Sequence, residues 1–309
     1  MMELNTKKIL ITGGSGFLGK NLILLLKNKK INNYFSPRKK DYNLLNVNEI
    51  KKLFQDYQPD IVIHLAAVVG GIGANANHPA KFFYENAMMG LQLFHESYLN
   101  SINKFVCIGT ICSYPADTKI PFKESDLWNG FPEETNAPYG IAKKMLSIQS
   151  STYRQEYGFN SIYLMPVNMY GPYDNFNDQT SHVIPAVIKK ILFAKNNNIK
   201  EVTLWGDGSP TREFIYVEDV AEAIILATEN FNQSDPVNIG TGKNISIKNL
   251  AYTIAEIIQF SGEIKWDTSK PNGQNERQLN TTLAKEKFGF EFKTNLHNGL
   301  KKTIEWDIQ

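Results

Sequence analysis

The run KILITGGSGFLGKNLILLLKN, residues 8–28, decides the fold. Residues 8–12 make a short apolar strand, and Gly13, Gly16 and Gly19 follow at once. Leu22, Leu25 and Leu26 then recur at helical spacing. Glycines placed so between a strand and a helix have separate tasks. The first permits a tight turn, the second lets the backbone approach a pyrophosphate, and the third lets the helix pack closely. The helix N-terminus turns its unpaired N–H groups toward the phosphates. Glycines beside a strand also make plain turns, so the strand, turn and helix order is what gives the motif weight.

Outward from this unit the pattern repeats. A weak strand is expected within residues 33–38 and a helix over residues 47–57. DIVIHLAA from Asp60 is a strand apolar on both faces, as in a parallel sheet covered by helices. A helix near Phe82 to Leu99, the strand KFVCIGT from Lys104, a helix from Ala137 to Tyr157 and the strand SIYLMPV from Ser161 continue the alternation. The expectation is an α/β protein, a Rossmann-type doubly wound parallel sheet over residues 1–170. Residues 171–309 are expected to form mainly a smaller C-terminal substrate-binding domain, with segments returning to the first around residues 210–240. Two helices are expected there, near His182 to Phe193 and near Val217 to Thr228.

Composition narrows the classes. The 309 residues carry 33 basic and 31 acidic side chains, for a net charge of +2, with no long block of one sign. No nucleic-acid or polybasic membrane partner is expected. No stretch approaches a membrane span in length. The first residues read as polar ones leading into a strand, not as a signal peptide. Cys107 and Cys112 lack metal-ligand spacing, so no metal site or disulfide is expected. Two free thiols suit a reducing, cytoplasmic location.

A dinucleotide site of this kind usually carries an acid about 20 residues past the first strand, on the adenosine ribose. No Asp or Glu lies between Glu3 and Asp41, and Arg38, Lys39 and Lys40 stand there instead. A guanidinium at Arg38 favours a 2′-phosphate, hence NADP(H) over NAD; a solvated basic loop is the plain alternative.

The chemistry sits further along. Tyr139 and Lys143 in YGIAK fall on one helix face. Lys143 is expected to lower the phenol pKa and to hold ribose hydroxyls, making Tyr139 a general acid toward a carbonyl oxygen. Thr110, at a strand end, offers a hydroxyl to the same oxygen. Cys112 and His182, if they meet, supply a base and an acid for protons on carbons beside a ketone, whose enolate the Tyr139 and Thr110 donors would hold.

These residues, with AAVVGGI from Ala66, GTICSYP from Gly109, ETNAPYGIAKK from Glu134, MPVNMYGPYDNF from Met165, SHVIPA from Ser181, WGDGSPTREFIYVEDVA from Trp205 and DTSKPNGQNERQL from Asp267, carry a specific resemblance. Over nearly its whole length the chain resembles the GDP-L-fucose synthases, extended short-chain dehydrogenases that act as GDP-4-keto-6-deoxy-D-mannose 3,5-epimerases and 4-reductases. The resemblance implies catalytic roles for Thr110, Cys112, Tyr139, Lys143 and His182. It implies cofactor contacts from Gly13, Gly16, Phe17, Leu18, Gly19, Arg38, Ala66, Ala67, Tyr139, Lys143, Asn168 and His182. Lys190, Trp205, Arg212, Lys270 and Arg277 would meet a GDP-sugar. A homodimer pairing the helices near Phe82 to Leu99 and Ala137 to Tyr157 is expected as well. The chain departs from the family in carrying Thr110 for a serine and Asn272 for an aspartate, and in lacking a basic residue in the glycine loop. Related 4-reductases and 4-epimerases on the same fold remain the alternative; some reductases lack the cysteine and histidine that this chain keeps.

Overall fold

β1 (Ile9–Thr12) is buried along its whole length and feeds the glycine turn, from which α1 (Phe17–Asn28) departs with Gly16 as its N-cap. β2 (Tyr34–Phe35), α2 (Val47–Tyr57), β3 (Ile61–His64), α3 (Ile72–Asn77), α4 (Pro79–Leu99), β4 (Lys104–Ile108), α5 (Ala137–Tyr157) and β5 (Ser161–Pro166) follow. Next come β6 (Asn168–Tyr170), α6 (Val183–Asn196), β7 (Glu201–Trp205), β8 (Thr211–Tyr216), α7 (Val217–Asn230) and β9 (Pro236–Ile239). β10 (Asn244–Ser246), α8 (Ile247–Ile258), β11 (Glu263–Asp267), β12 (Glu276–Arg277), α9 (Thr282–Phe288) and α10 (Leu296–Ile308) complete the chain. The computed structural model describes residues 2–178, 180–270, 272 and 274–308. Pro271 and Gly273 of the DTSKPNGQNERQL run thus lie outside the described residues.

Six strands form one parallel sheet in the order β2-β1-β3-β4-β5-β9. The chain leaves β1 toward β2 and then returns to the other side of β1 with β3. That reversal opens a crevice at the carboxyl ends of the strands, where α/β proteins bind ligands. β3, β4 and β5 are buried at every position, as strands covered on both faces must be. Local signals set the helices. Asn46 caps α2 by accepting the Asn48 N–H at 3.0 Å. α5 carries Pro138 in its first turn and ends on Gly158 at φ +67°.

Lys104 is buried at the start of β4 and donates to the carbonyls of Ala227, Thr228 and Phe231. It thereby satisfies the open end of α7 and ties that helix to the sheet. α7 and β9, over residues 217–239, belong to this layer.

A second apolar cluster gathers Tyr170, Ile184, Ile188, Leu250, Ile254, Leu300 and Ile304 from β6, α6, α8 and α10. β8 joins β10, β12 and β6 in a small sheet, and β7 pairs with β11. The sequence reading anticipated only two helices after residue 170; α8, α9 and α10 are additional. A signal for α8 was present: Ser246 accepts the Asn249 N–H at 3.1 Å, and Leu250, Ile254 and Ile258 recur on one buried face.

Candidate active site

A cavity of about 1290 Å³ opens over the carboxyl ends of the strands and runs out to the small sheet. Its floor is the glycine turn. Gly13 has φ +73°, and a Cβ there would stand 2.6 Å from the Ala66 nitrogen. A Cβ on Gly19 would stand 2.3 Å from the Gly13 carbonyl oxygen. Both positions therefore need the missing side chain, one for the approach of two loops and one for the fold of α1 onto its own turn. Gly16, Phe17 and Leu18 present the first turn of α1 to the cavity. A glycine cradle closed by a helix N-terminus fits a pyrophosphate.

Ala66 and Ala67 line the cavity after β3. Buried Asn86 fixes the next residue from both sides: Val68 N–H donates to its Oδ1 at 2.9 Å and its Nδ2 donates to the Val68 carbonyl at 2.9 Å. At the other end, Arg38 and Lys39 stand just past β2. Asp41 Oδ2 accepts the Arg38 backbone N–H at 3.3 Å. The Arg38 guanidinium makes no hydrogen bond or ion pair among the described residues and is free to meet an anion.

The catalytic candidates converge. Thr110 stands two residues past β4 and caps the turn that follows: its Oγ1 accepts the Cys112 N–H at 3.2 Å, which fixes the thiol two residues on. Ser113 Oγ donates to the Gly140 carbonyl at 2.9 Å, which holds α5 against this turn. Tyr139 and Lys143 then face the cavity beside Thr110 and Cys112. His182 enters it from the N-cap of α6. Asn168 lines it too, with Nδ2 donating to the Glu213 carbonyl at 3.1 Å.

Electrostatics correct one expectation. Burial, with a smaller contribution from Cys112, pushes the Tyr139 phenol up rather than down. Lys143 is buried too, and loss of water pulls its ammonium down to about 8. Its charge therefore does not overcome the desolvation of the phenol, which stays protonated and suited to donating. His182 lines the cavity with an exposed side chain, and loss of water among the surrounding protein atoms pulls its imidazole below the ordinary histidine value.

Arg212 and Arg277 are register partners on β8 and β12. Burial and then the Arg277 charge bring Arg212 down to about 10, so it stays charged near neutrality. Two guanidinium groups side by side suit a diphosphate. Lys190 and Trp205 line the same end, with Lys190 Nζ donating to the Thr203 carbonyl at 3.1 Å and Trp205 exposing 67% of its surface. Lys270 is set apart: it stands 5.8 Å from the Trp205 ring centroid and does not line the cavity wall.

Sequence reasoning missed Glu213. It is fully buried, and its carboxylate accepts the N–H groups of Thr241, Gly242 and Leu279, the last two at 2.7 Å each. It locks β8 to the strand that bears Arg277. Only its place inside the PTREF run marked it. No cluster of three metal-ligating side chains occurs, and no helix is long and apolar enough to cross a membrane, both among the described residues.

Comparison with known proteins agrees with this architecture. Residues 9–240 match the model of the NAD dependent epimerase/dehydratase family. GDP-L-colitose synthase of Yersinia pseudotuberculosis is 37% identical over 302 residues, covering 97% of each chain. GDP-L-fucose synthase of Escherichia coli strain K12 is 34% identical over 99% of this chain and 98% of its own. The solved structure of a GDP-mannoheptose C4 reductase from Campylobacter jejuni with NADP bound superposes with a TM-score of 0.91 at 31% identity, covering all of both chains.

Proposed function

The chain belongs to the NAD dependent epimerase/dehydratase family, and on that premise we propose that it converts GDP-4-keto-6-deoxy-D-mannose to GDP-L-fucose by 3,5-epimerisation and NADPH-dependent 4-reduction. The observation that carries this reading is the gathering of two chemical sets in one cavity, Cys112 with His182 and Tyr139 with Lys143.

Residues 1–170, with the returning segment 217–239, hold the cofactor, and most of the remainder holds the sugar nucleotide. The glycine turn and the α1 N-terminus take the pyrophosphate. Arg38 takes the 2′-phosphate, and Ala66, Ala67, Asn168 and His182 line the rest of the cofactor pocket. The bound cofactor supplies hydride to carbon 4. Lys190, Trp205, Arg212 and Arg277 hold the GDP-sugar, with the two arginines on the diphosphate, and Lys270, outside the cavity wall, reaches this end only over the Trp205 ring.

Cys112, as thiolate, takes the proton from carbon 3 and later from carbon 5. Each removal leaves an enolate whose oxygen is held by the Thr110 and Tyr139 hydroxyls. His182 returns a proton to the opposite face of each carbon, which inverts it. Epimerisation leaves the oxidation state unchanged. In the last step Tyr139 gives its proton to the carbonyl oxygen as carbon 4 is reduced. Lys143 positions the ribose hydroxyls and supplies positive charge near the phenol.

The second reading is a 4-reductase acting on a related GDP-4-keto-deoxysugar or heptose, which matches the names of two similar solved structures, both heptose reductases. Incubation of GDP-4-keto-6-deoxymannose with and without NADPH separates the two. GDP-L-fucose with NADPH, and deuterium uptake from heavy water without it, supports the first. An unepimerised alcohol with no uptake supports the second.

A homodimer fits the exposed apolar surface of α4 and α5, where Leu91, Trp128, Ile141, Met145 and Ile148 border a shallow groove. The free thiols of Cys107 and Cys112 fit a cytoplasmic location.

A further inference from the structure

β6 ends at Tyr170 and α6 begins at Val183, and the connection between them delivers His182 to the cavity. No side-chain cap bond holds the His182 ring at the start of α6, so its aim follows the backbone that carries it. That backbone is knotted on itself. Asn175 Nδ2 donates to Thr180 Oγ1 at 2.8 Å, Asn177 N–H to Asn175 Oδ1 at 3.0 Å, and Ser181 N–H to the Asn177 carbonyl at 2.9 Å. A knot of this kind keeps its shape, so its placement is set where it joins the rest of the protein.

At the entry, α1 grips the turn at Pro172 and Tyr173. Asn21 is 3% exposed, and its Nδ2 donates both to the Pro172 carbonyl and to the Phe17 carbonyl of its own helix, each at 2.9 Å. Beside it, Lys20 Nζ stands 4.9 Å from the Tyr173 ring centroid. Tyr173 has φ +70°, a left-handed conformation that costs a bulky residue free energy and persists only where its neighbours impose it. At the exit, Gly71 N–H donates to the Thr180 carbonyl at 3.3 Å, and a Cβ on Gly71 would stand 3.1 Å from the Ser181 carbonyl oxygen. Asn75 braces this glycine loop, its Nδ2 donating to the Gly70 and Gly71 carbonyls at 3.0 and 3.2 Å.

We propose that Asn21 is a positioning residue for His182: its grip on the Pro172 carbonyl fixes the turn from which the connection runs to the imidazole. The inference rests on the assignment of His182 to proton return. Asn21 does not line the cavity, but Phe17, whose carbonyl it also holds, does. One buried amide thus joins the first turn of α1 to the segment that carries the acid.

The consequence is a choice of face. Once Cys112 has taken a proton, the enolate carbon gains one by either of two courses. His182 gives it on the opposite face, which inverts the carbon and leaves the imidazole neutral. The Cys112 thiol gives it back on the same face, which restores the starting ketone and the thiolate. In heavy water the thiol exchanges with solvent, so the second course leaves deuterium on a carbon that has not inverted. A displaced His182 favours that course, whereas a general loss of stability lowers both alike.

The test incubates GDP-4-keto-6-deoxymannose with the enzyme and NADP⁺ in heavy water and reads by NMR, at initial rate, deuterium on uninverted against inverted carbons. Asn21→Leu should raise that ratio by roughly threefold to tenfold, the effect of one buried hydrogen bond. Asn175→Ala, at an exposed position of the knot, should raise it too without endangering the fold, and it decides the matter if Asn21→Leu does not fold. A wild-type ratio in either folded variant, even at a lower overall rate, overturns the proposal. His182→Asn is the control and should give deuterium without inversion. Absent uptake in the wild type, or inversion at the wild-type rate by His182→Asn, would instead sink the reading on which the inference rests.

Discussion

The Arg277 guanidinium directs an N–H at the Cys112 sulfur, with Nη1 3.6 Å from Sγ, across 165 residues of sequence. Arg277 is held for this contact by Gln274, whose Oε1 accepts its Nε–H. It is therefore close enough to pair with the sulfur once the sulfur carries charge. Arg277→Gln should slow proton exchange at carbons 3 and 5 by roughly 10–100-fold, the loss of one charge-assisted contact. Deuterium incorporation into the 4-keto sugar measures this. Unchanged exchange, with only a raised KM, would restrict Arg277 to substrate binding.

We propose that Arg38 selects the cofactor. Its free guanidinium stands where a ribose carboxylate would otherwise be, and the Asp41 carboxylate is engaged by the Arg38 backbone. Arg38→Ala should lower kcat/KM with NADPH by roughly 10–100-fold and leave the NADH value nearly unchanged. Steady-state kinetics with both cofactors checks it. A wild-type enzyme that prefers NADH would reverse the assignment.

The pH dependence of reduction follows from Lys143. Burial lowers its pKa to about 8, so the ammonium is present below that value and is lost as the pH rises through it. The kcat for reduction should fall on the alkaline side near that point. Single-turnover oxidation of NADPH at a series of pH values reads the limb. A rate that keeps rising through it would show that the charge on Lys143 is not used.

Glu213→Gln tests the join between β8 and the Arg277 strand. The amide keeps one acceptor oxygen where the carboxylate now serves Thr241, Gly242 and Leu279. The expected loss is about 1–3 kcal/mol of unfolding free energy, for a buried N–H left without a partner. Urea denaturation measures it, and a variant as stable as wild type would contradict the account of this residue.

Much of this was legible because it is local. The strand, glycine turn and helix lie within residues 8–28, and Tyr139 and Lys143 share one face of α5. Thr110 and Cys112 share one turn. What was hidden depends on distant partners. The contact of Arg277 with Cys112, the clamp of Lys104 on α7 and the hub at Glu213 join segments that no spacing rule connects. The strand Glu201–Trp205 alternates exposed and buried positions, but its parallel partner lies some 60 residues on, at Glu263–Asp267. The rise of the Tyr139 pKa was missed for a related reason: the neighbouring lysine is visible in sequence, whereas burial is not.

The central claim is that one cavity performs two separable reactions, and deuterium uptake from heavy water with NADP⁺ present tests it most directly. Wild type should exchange the protons at carbons 3 and 5 without consuming cofactor. Cys112→Ser should lose that exchange almost entirely while keeping NADPH oxidation with the unepimerised ketone. Tyr139→Phe should retain measurable exchange and lose reduction by roughly 10²–10⁴-fold, the share of a positioned general acid. If Cys112→Ser exchanged both protons at the wild-type rate while Tyr139→Phe alone lost exchange, the two sets would not be separate, and Cys112 would be packing beside a reductase site.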